Sequence, residues 1–307
     1  MSTGRPGRTR DHGLREALRR AQARLAEAGV GSARADAELL AGHLLGLGRG
    51  EVQAAALRGA AVPAGFDDLV DERVRRVPLQ HLTGRAGFRG LDLAVGPGVF
   101  VPRPETEDVA GAAVDAARAV AAAGTRPLVV DLCTGSGAIA AAVAVEVPSA
   151  VVHAVELDPQ AHAWAARNLE GTRVELHLAD ATTWSGGLDG TVDVVVANPP
   201  YIPDSMVPVD PEVAEHDPVL ALYGGWPDGL AIPRAVVVRA AGLLRPGGVV
   251  VVEHAESQQR HLLTSLRPPV WQVCAGHRDL AGRPRYVRAV RASTSCPASE
   301  PGDRLPT

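Results

Sequence analysis

The 307-residue chain contains no lysine; its 31 Lys-plus-Arg positions are all arginine. That excludes a Schiff-base lysine and the lysine of a P-loop. Cysteine is scarce as well. Cys133, Cys274 and Cys296 lie far apart with no C-x-x-C spacing, which excludes a disulfide framework and fits a reducing cytoplasm. No apolar run reaches the length of a membrane span, since stretches such as 109–123 are broken by Asp and Arg. The basic start "MSTGRPGRTR" has no apolar segment behind it, so no signal peptide is expected. The ten histidines form neither H-x-x-x-H nor H-E-x-x-H, and no metal is expected. A strong positive charge is also missing: the formal net charge is −4, which is no footprint of a dedicated nucleic-acid binder.

The charge is nevertheless uneven. Up to Arg103 there are 16 Arg against 11 acids, and beyond it 15 Arg against 24 acids. Hydrophobic residues make up 46%, enough for a sizeable core. Residues 1–10 and 293–307 read as disordered. Residues 11–76 read as a small helical domain. In "LREALRRAQARLAEAG", Leu and Ala recur at three- and four-residue spacing and stop at Gly29. "SARADAELLAGHLLG" follows, with Ser32 as N-cap and Gly46 as its end, and "FDDLVDERVRRV" makes a further short helix. Residues 77–104 hold Gly-led turns between short alternating apolar runs, which predicts a β-hairpin linker.

From 105 to 292 helix and strand alternate. Strands are expected at 128–132, 150–157, 173–178, 192–197 and 247–254, as continuous apolar runs with Ala-rich helices between the early ones. That is the pattern of a parallel sheet covered on both faces. Two later strands, 270–276 and 285–291, have no room for a helix between them and should form an edge hairpin.

Chemistry concentrates where these strands end. "VVDLCTGSGAIA" (129–140) turns from strand to helix through Gly135 and Gly137, where the backbone can approach a ligand closely. A lone G-x-G also serves as a structural turn, and it is not the G-x-G-x-x-G of dinucleotide binders. Glu156 ends the following strand, 19 residues past Gly137, where an acid can hold two ribose hydroxyls or simply sit at the surface. Asp180 ends the next strand and can accept from an adenine amino group or cap a helix, with the Ala181 backbone beside it. "DVVVANPPYIP" (193–203) ends the fourth strand in Asn198, Pro199, Pro200 and Tyr201.

These motifs, together with "PLQHLTG", "FVPRPETE", "HDPVLALYGG", "DGL", "LLRPGGVVVVEHAESQ" and "RDLAGRPRYVRA" in this order, resemble the release-factor glutamine N5-methyltransferases (the HemK or PrmC family). The resemblance is specific over about 77–291 and looser in the helical domain. It implies an α/β, Rossmann-like seven-stranded class I methyltransferase domain behind a small N-terminal helical domain that docks the substrate. It implies S-adenosylmethionine as cofactor, with the methionine part on Cys133, Thr134, Gly135, Ser136 and Gly137, the ribose on Glu156, and the adenine on Asp180 and Ala181. Asn198 completes the cofactor site, and Phe100 and Arg103 of "FVPRPETE" close over it. Read locally, that loop is also a helix start with Pro104 at the first position. Two departures are visible: Cys133 stands where the family has the first Gly of the loop, and Trp226-Pro227 lengthens the stretch before "DGL".

The implied acceptor is the side-chain amide of the Gln in the Gly-Gly-Gln loop of class I peptide release factors. An amide nitrogen is a weak nucleophile because its lone pair is delocalised. Two acceptors aimed at its N–H bonds favour the pyramidal geometry that attack requires. The Asn198 side-chain oxygen and the Pro199 carbonyl suit that role, stiffened by Pro199 and Pro200, with Tyr201 stacked on the amide plane. The alternatives are an adenine-N6 nucleic-acid methyltransferase, a ribosomal-protein glutamine methyltransferase, and a non-catalytic nucleotide-binding protein. The first needs a basic surface that the acidic catalytic half lacks. A cytoplasmic monomer with no stable nucleic-acid partner and no membrane association is expected.

Overall fold

The computed structural model describes residues 13–293. The expected disorder of 1–10 and of the tail beyond Ser293 lies outside the described residues, as does Cys296. The chain folds as two compact units. The first comprises residues up to Ala86 together with Val95–Pro97 and Val207–Asp217; the second comprises Gly87–Ala94, Gly98–Met206 and the chain from Pro218 onward.

The first unit is helical: α1 (Leu14–Glu27), α2 (Ala33–Leu45), α3 (Arg49–Leu57), α4 (Phe66–Val74) and α5 (Leu79–Thr83). Leu14, Leu18 and Leu25 of α1, Leu40 of α2, Val52 of α3 and Phe66 and Val70 of α4 form one apolar cluster. Ser32 stands at the N-cap position of α2, but its hydroxyl donates to the Asp36 carboxylate at 2.7 Å and makes no cap to the backbone. Gly46 ends α2 in the left-handed conformation. Between Leu14 and Thr83 two short helices were not read from sequence. One is α3. The other is α5, which occupies "PLQHLTG" inside the expected hairpin linker. The linker's two strands follow it as β1 (Arg85–Phe88) and β2 (Leu91–Ala94). The two residues between them, Arg89 and Gly90, both have positive φ, as a tight hairpin turn of primed type demands.

The second unit continues with α6 (Thr106–Ala122), β3 (Leu128–Leu132), α7 (Ala138–Glu146), β4 (Val151–Glu156), α8 (Pro159–Asn168), β5 (Glu175–Leu178) and β6 (Val192–Ala197). After β6 come α9 (Pro211–His216), which belongs to the first unit, and α10 (Val219–Leu222). The chain closes with α11 (Ala231–Leu243), β7 (Leu244–Glu253), α12 (Gln259–Leu263), β8 (Trp271–Arg278) and β9 (Pro284–Arg291). The helix of "FVPRPETE" starts at Thr106, two residues after Pro104, because Glu105 takes the N-cap position.

The strands form one sheet in the order β5-β4-β3-β6-β7-β9-β8. The pairings from β5 to β7 are parallel, and β9 is antiparallel to both β7 and β8. This is the seven-stranded α/β architecture expected, with the last two strands as the edge hairpin. β6 is buried at every position, and apolar clusters cover both sheet faces: Val194 and Val196 face one, Val192 and Val195 the other. A strand buried on both faces must read as a continuous apolar run, as "VDVVVA" does. Its single acid, Asp193, accepts from the backbone N–H of Leu128 at 2.8 Å and pairs with Arg245 at 2.6 Å.

Candidate active site

The sheet order carries the site. The C-terminal ends of β5, β4, β3 and β6 are consecutive neighbours, and they lead into Asp180, Glu156, the Cys133–Gly137 loop and Asn198 in that order. At about 4.8 Å per strand the four ends span roughly 14 Å. The connection direction reverses between β3 and β6, which makes that pair of strand ends the topological switch point where open α/β sheets bind ligands.

The glycine loop is built around buried acids. Thr134 is buried; its hydroxyl donates to Asp131 Oδ2 at 2.5 Å and its N–H to the Val155 carbonyl at 3.0 Å. Ala140 N–H also donates to Asp131 Oδ2, at 3.1 Å. Gly135 has φ +58°, and a Cβ there would meet nothing within 4 Å, so the loop backbone faces open space. Gly137 has φ +81° and a Cβ would come within 3.2 Å of Leu169, so α8 packs against bare backbone there. Cys133 has φ +60°, the left-handed region in which glycine is at ease. Its thiol is pushed well up by burial and by the neighbouring acids, so it stays neutral and inert.

Glu156 is held by three backbone N–H groups. Gly135 donates to Oε2 at 2.8 Å, and Leu157 and Asp158 donate to Oε1 at 2.8 and 2.9 Å. Oε1 spends both lone pairs on backbone, Oε2 keeps one for a further donor, and the carboxylate is locked to the glycine loop. Asp180 Oδ1 accepts from the Thr182 N–H and hydroxyl at 2.8 and 2.7 Å, so a ligand would be left Oδ2. The Ala181 side chain is buried in the core. Ser136 is buried within the loop, and its carbonyl accepts from Asn168 Nδ2 at 2.9 Å. Upstream, the Arg103 guanidinium lies 4.9 Å from the centroid of the Phe100 ring, a cation–π pair that fixes both side chains.

The "NPPY" segment rests on a floor of backbone contacts. Tyr201 and Ile202 N–H both donate to the Leu222 carbonyl, at 3.1 and 2.8 Å, and Gly224 N–H returns a bond to Ile202 at 3.0 Å. A Cβ at Gly224 would lie 2.6 Å from the Pro200 carbonyl and one at Gly229 would lie 2.2 Å from that of Tyr201, so only glycine fits either place. The buried Gln258 ties the Tyr201 and Asp228 carbonyls together through Nε2, both at 2.7 Å. The motifs "LYGG", "DGL" and "AESQ" thus converge as supports under one tetrapeptide.

Behind Asn198 lies a polar chain. Asn198 Nδ2 donates to the Thr106 hydroxyl oxygen at 3.3 Å. Thr106 donates its proton to Glu253 Oε2 at 2.8 Å, and the Tyr201 hydroxyl donates to Glu253 Oε1 at 3.2 Å. With Glu253 ionised, the Thr106 proton is committed to it and the Thr106 oxygen accepts from Asn198. The Asn198 amide therefore presents its NH₂ end to Thr106 and turns Oδ1 the other way. Burial pushes the Glu253 carboxyl up to about 7; the hydroxyls of Thr106 and Tyr201 and the charge of Arg285 pull against it, and Glu105 adds to the rise. Burial and Glu253 together raise the Tyr201 phenol, which stays a donor.

Three members of this site were missed in sequence: Asp131, Thr106 and Glu253. Asp131 is fully buried, its Oδ1 has no hydrogen-bond partner, and burial pushes its carboxyl up to about 7. The signal was present for the two acids, since each interrupts or ends an unbroken apolar strand ("LVVDL", "VVVVEH") where a surface acid cannot sit.

Two family models match the chain, PrmC N-terminal domain over residues 16–84 and Methyltransferase small domain over 119–210. The release factor glutamine methyltransferase of Streptomyces coelicolor is 53% identical over 273 residues, covering 88% of this chain and 95% of that protein. The chain belongs to the release factor glutamine methyltransferase family. The release factor glutamine methyltransferase of Mycolicibacterium smegmatis is 47% identical, over 92% of this chain and 99% of that protein. A 4-amino-L-phenylalanine/4-methylamino-L-phenylalanine methyltransferase of Streptomyces pristinaespiralis is 43% identical, over 80% and 84%. Among the described residues no helix is long and apolar enough to cross a membrane.

Proposed function

We propose that this chain methylates the side-chain amide nitrogen of the glutamine in the Gly-Gly-Gln motif of class I release factors, with S-adenosylmethionine as donor. The observation that carries the mechanism is the orientation of Asn198. Its NH₂ end is spent on Thr106, so Oδ1 serves as an acceptor at the switch point beside the glycine loop.

The residues present fit the cofactor. The glycine loop offers bare backbone over open space, Glu156 is pre-aimed by three N–H groups, and Asp131 keeps an unsatisfied buried oxygen next to the loop. Glu156 would take the ribose, Asp180 and Ala181 the adenine, and Thr134 to Gly137 the methionine end, with Phe100, Arg103 and Cys133 alongside. When bound, S-adenosylmethionine supplies an electrophilic methyl group on a sulfonium. Asn198 Oδ1 and the Pro199 carbonyl accept from the two substrate N–H bonds, which biases the nitrogen toward the pyramidal geometry of attack. Pro199 and Pro200 hold these acceptors without an ordering cost on binding. Tyr201 lies against the amide plane while its hydroxyl is anchored on Glu253. Loss of the proton after transfer requires no dedicated base, because an N-methylated amide cation is strongly acidic.

The relative named for 4-amino-L-phenylalanine is named for a substrate that carries an NH₂ on a planar ring carbon. Its likeness supports a site that reads that group. The positive balance of the N-terminal third suits docking of an acidic protein face. Reversing the exposed Arg15 and Arg20 to Glu should then raise KM for the release factor and leave cofactor affinity unchanged. The deciding experiment incubates the enzyme with labelled S-adenosylmethionine and, in parallel, a release factor, a ribosomal protein, DNA and 4-amino-L-phenylalanine, followed by peptide mass mapping. Label on the release-factor glutamine is expected. Label confined to any other acceptor overturns the assignment.

A further inference from the structure

On the far side of β4 from the glycine loop's helix, three potential ligands meet that methyl transfer does not use. His153 on β4 is directly paired with Glu175 on the edge strand β5, and His177 stands two residues further along that strand on the same face. His153 Nδ1 lies 3.1 Å from His177 Nε2 and 3.6 Å from Glu175 Oε2, and one ligand atom from each residue falls within 4.8 Å of the others. The two imidazoles are nearly parallel, at 17°. Trp184 roofs them, with its ring 4.8 Å from that of His177 and 6.0 Å from that of His153. His153 is buried, His177 half-buried, and the Glu175 side chain is 62% exposed, so the niche opens to water on the carboxylate side.

We propose that His153, Glu175 and His177 form a binding site for a divalent transition metal, with Zn²⁺ the best match, that staples the edge strand β5 to β4. Tetrahedral zinc at 2.0–2.1 Å from its ligands separates them by about 3.3–3.4 Å. The distances of 3.1 and 3.6 Å from His153 Nδ1 bracket that spacing, and because the two rings meet nitrogen to nitrogen they must splay to aim both lone pairs at one ion. At present the two ring nitrogens share a single proton, and a metal would take its place. Desolvation lowers the proton affinity of both histidines, which keeps them in the neutral form that binds metal. Two imidazoles with one carboxylate suit zinc and discriminate against magnesium and calcium, which prefer all-oxygen shells. The exposed side leaves the fourth position to water. The site is independent of the methylation reading. It acts on the strand that leads into Asp180, so its effect should be on the order of that edge and not on the chemistry.

The test uses the full chain without any affinity tag. Calorimetry with ZnCl₂ should give saturable binding of one ion per chain below about 100 μM, with MgCl₂ giving none. The melting temperature should rise with zinc, since an ion that binds only the folded chain stabilises it. NiCl₂ should quench the Trp184 fluorescence; Trp184→Phe should abolish that quenching and keep the calorimetric binding. His177→Asn and Glu175→Ala should each lose at least the roughly tenfold in affinity that even indirect changes around a metal cause. If His177→Asn fails to fold, the exposed Glu175→Ala decides alone. No zinc binding up to 100 μM, or affinity unchanged in Glu175→Ala, overturns the proposal.

Discussion

Glu38 in the helical unit and Glu253 in the catalytic unit each expose little surface, 3% and 1%, but Glu253 lies much deeper, and their carboxyls move in opposite directions. Burial works to raise both. At Glu38 hydrogen bonds from Arg34, Arg49 and Gln53 outweigh it, and the net shift is downward. At Glu253 the direct partners are two neutral hydroxyls, and the carboxyl rises to about 7. Asp36 is likewise paired with Arg73 at 2.8 Å, and Arg73 also reaches Glu212 of the 207–217 segment at 2.7 Å. Asp131, beside the glycine loop, has hydroxyl and amide partners and no guanidinium. Where a buried acid only holds helices together, arginine neutralises it. At the candidate site, the acids orient neighbouring groups and are left electrostatically costly, as is common for groups that act.

If the helical unit depends on compensated charge, removing the compensator should be severe. Arg73→Ala strands Asp36 and is expected to destabilise that unit by about 3–5 kcal/mol. Chemical denaturation should show it, while cofactor affinity stays near wild type. A loss under 1 kcal/mol would erase the contrast between the units. In the catalytic unit the largest effect should fall on turnover. Asn198→Ala should lower kcat by about 10²–10³ with cofactor binding retained. Thr106→Val should give a smaller loss in the same parameter, and Thr106→Ser should recover most of it, because only the hydroxyl relays orientation. Single-turnover methylation measures all three, and a Thr106→Val enzyme as fast as wild type would remove the relay from the mechanism.

The uncompensated acid should also be visible in stability against pH. Glu253 has a folded pKa raised from 4.5 to about 7, so between these values the native chain holds a proton that the unfolded chain has lost. Stability from this group is therefore fully present below about 4.5 and lost as pH rises through 7, a change of roughly 3 kcal/mol. Asp131 acts in the same sense over a similar window. Glu253→Gln should flatten the decline between pH 5 and 8 in the ligand-free protein and slow methylation. An unchanged slope in the variant would mean that Glu253 is not the titrating group. The smallest effect belongs to Cys133→Gly. Relief of the left-handed backbone and loss of the buried thiol oppose each other, so thermal unfolding should place the variant within about 1 kcal/mol of wild type.

Much of the catalytic unit was legible because its central strands β3, β4 and β6 are buried on both faces and read as bare apolar runs. Residues 128–132 and 192–197 begin and end as the sequence reading placed them. The polar residue that breaks each run marks a strand end, which is how Glu156, Asp180 and Asn198 could be picked out. α5 was harder, because five residues of mixed polarity carry no period. Thr106 also escaped, since a threonine in a first helical turn looks like ordinary helix-start chemistry.

The sequence by itself determined which residues end strands, where the tight turns fall and which tetrapeptide is stiffened by two prolines, since those properties belong to local backbone sterics and to the side-chain period. The tertiary structure alone decided that these ends stand side by side. Thr106 and Glu253 are 147 residues apart in the chain, and Thr106 and Asn198 are 92 apart. Strand order across a parallel sheet is set by how crossover helices pack on its two faces, a long-range outcome that no local period encodes. The same packing buries Glu253 with hydroxyls and Glu38 with arginines, and so gives two similar carboxyls opposite electrostatic characters.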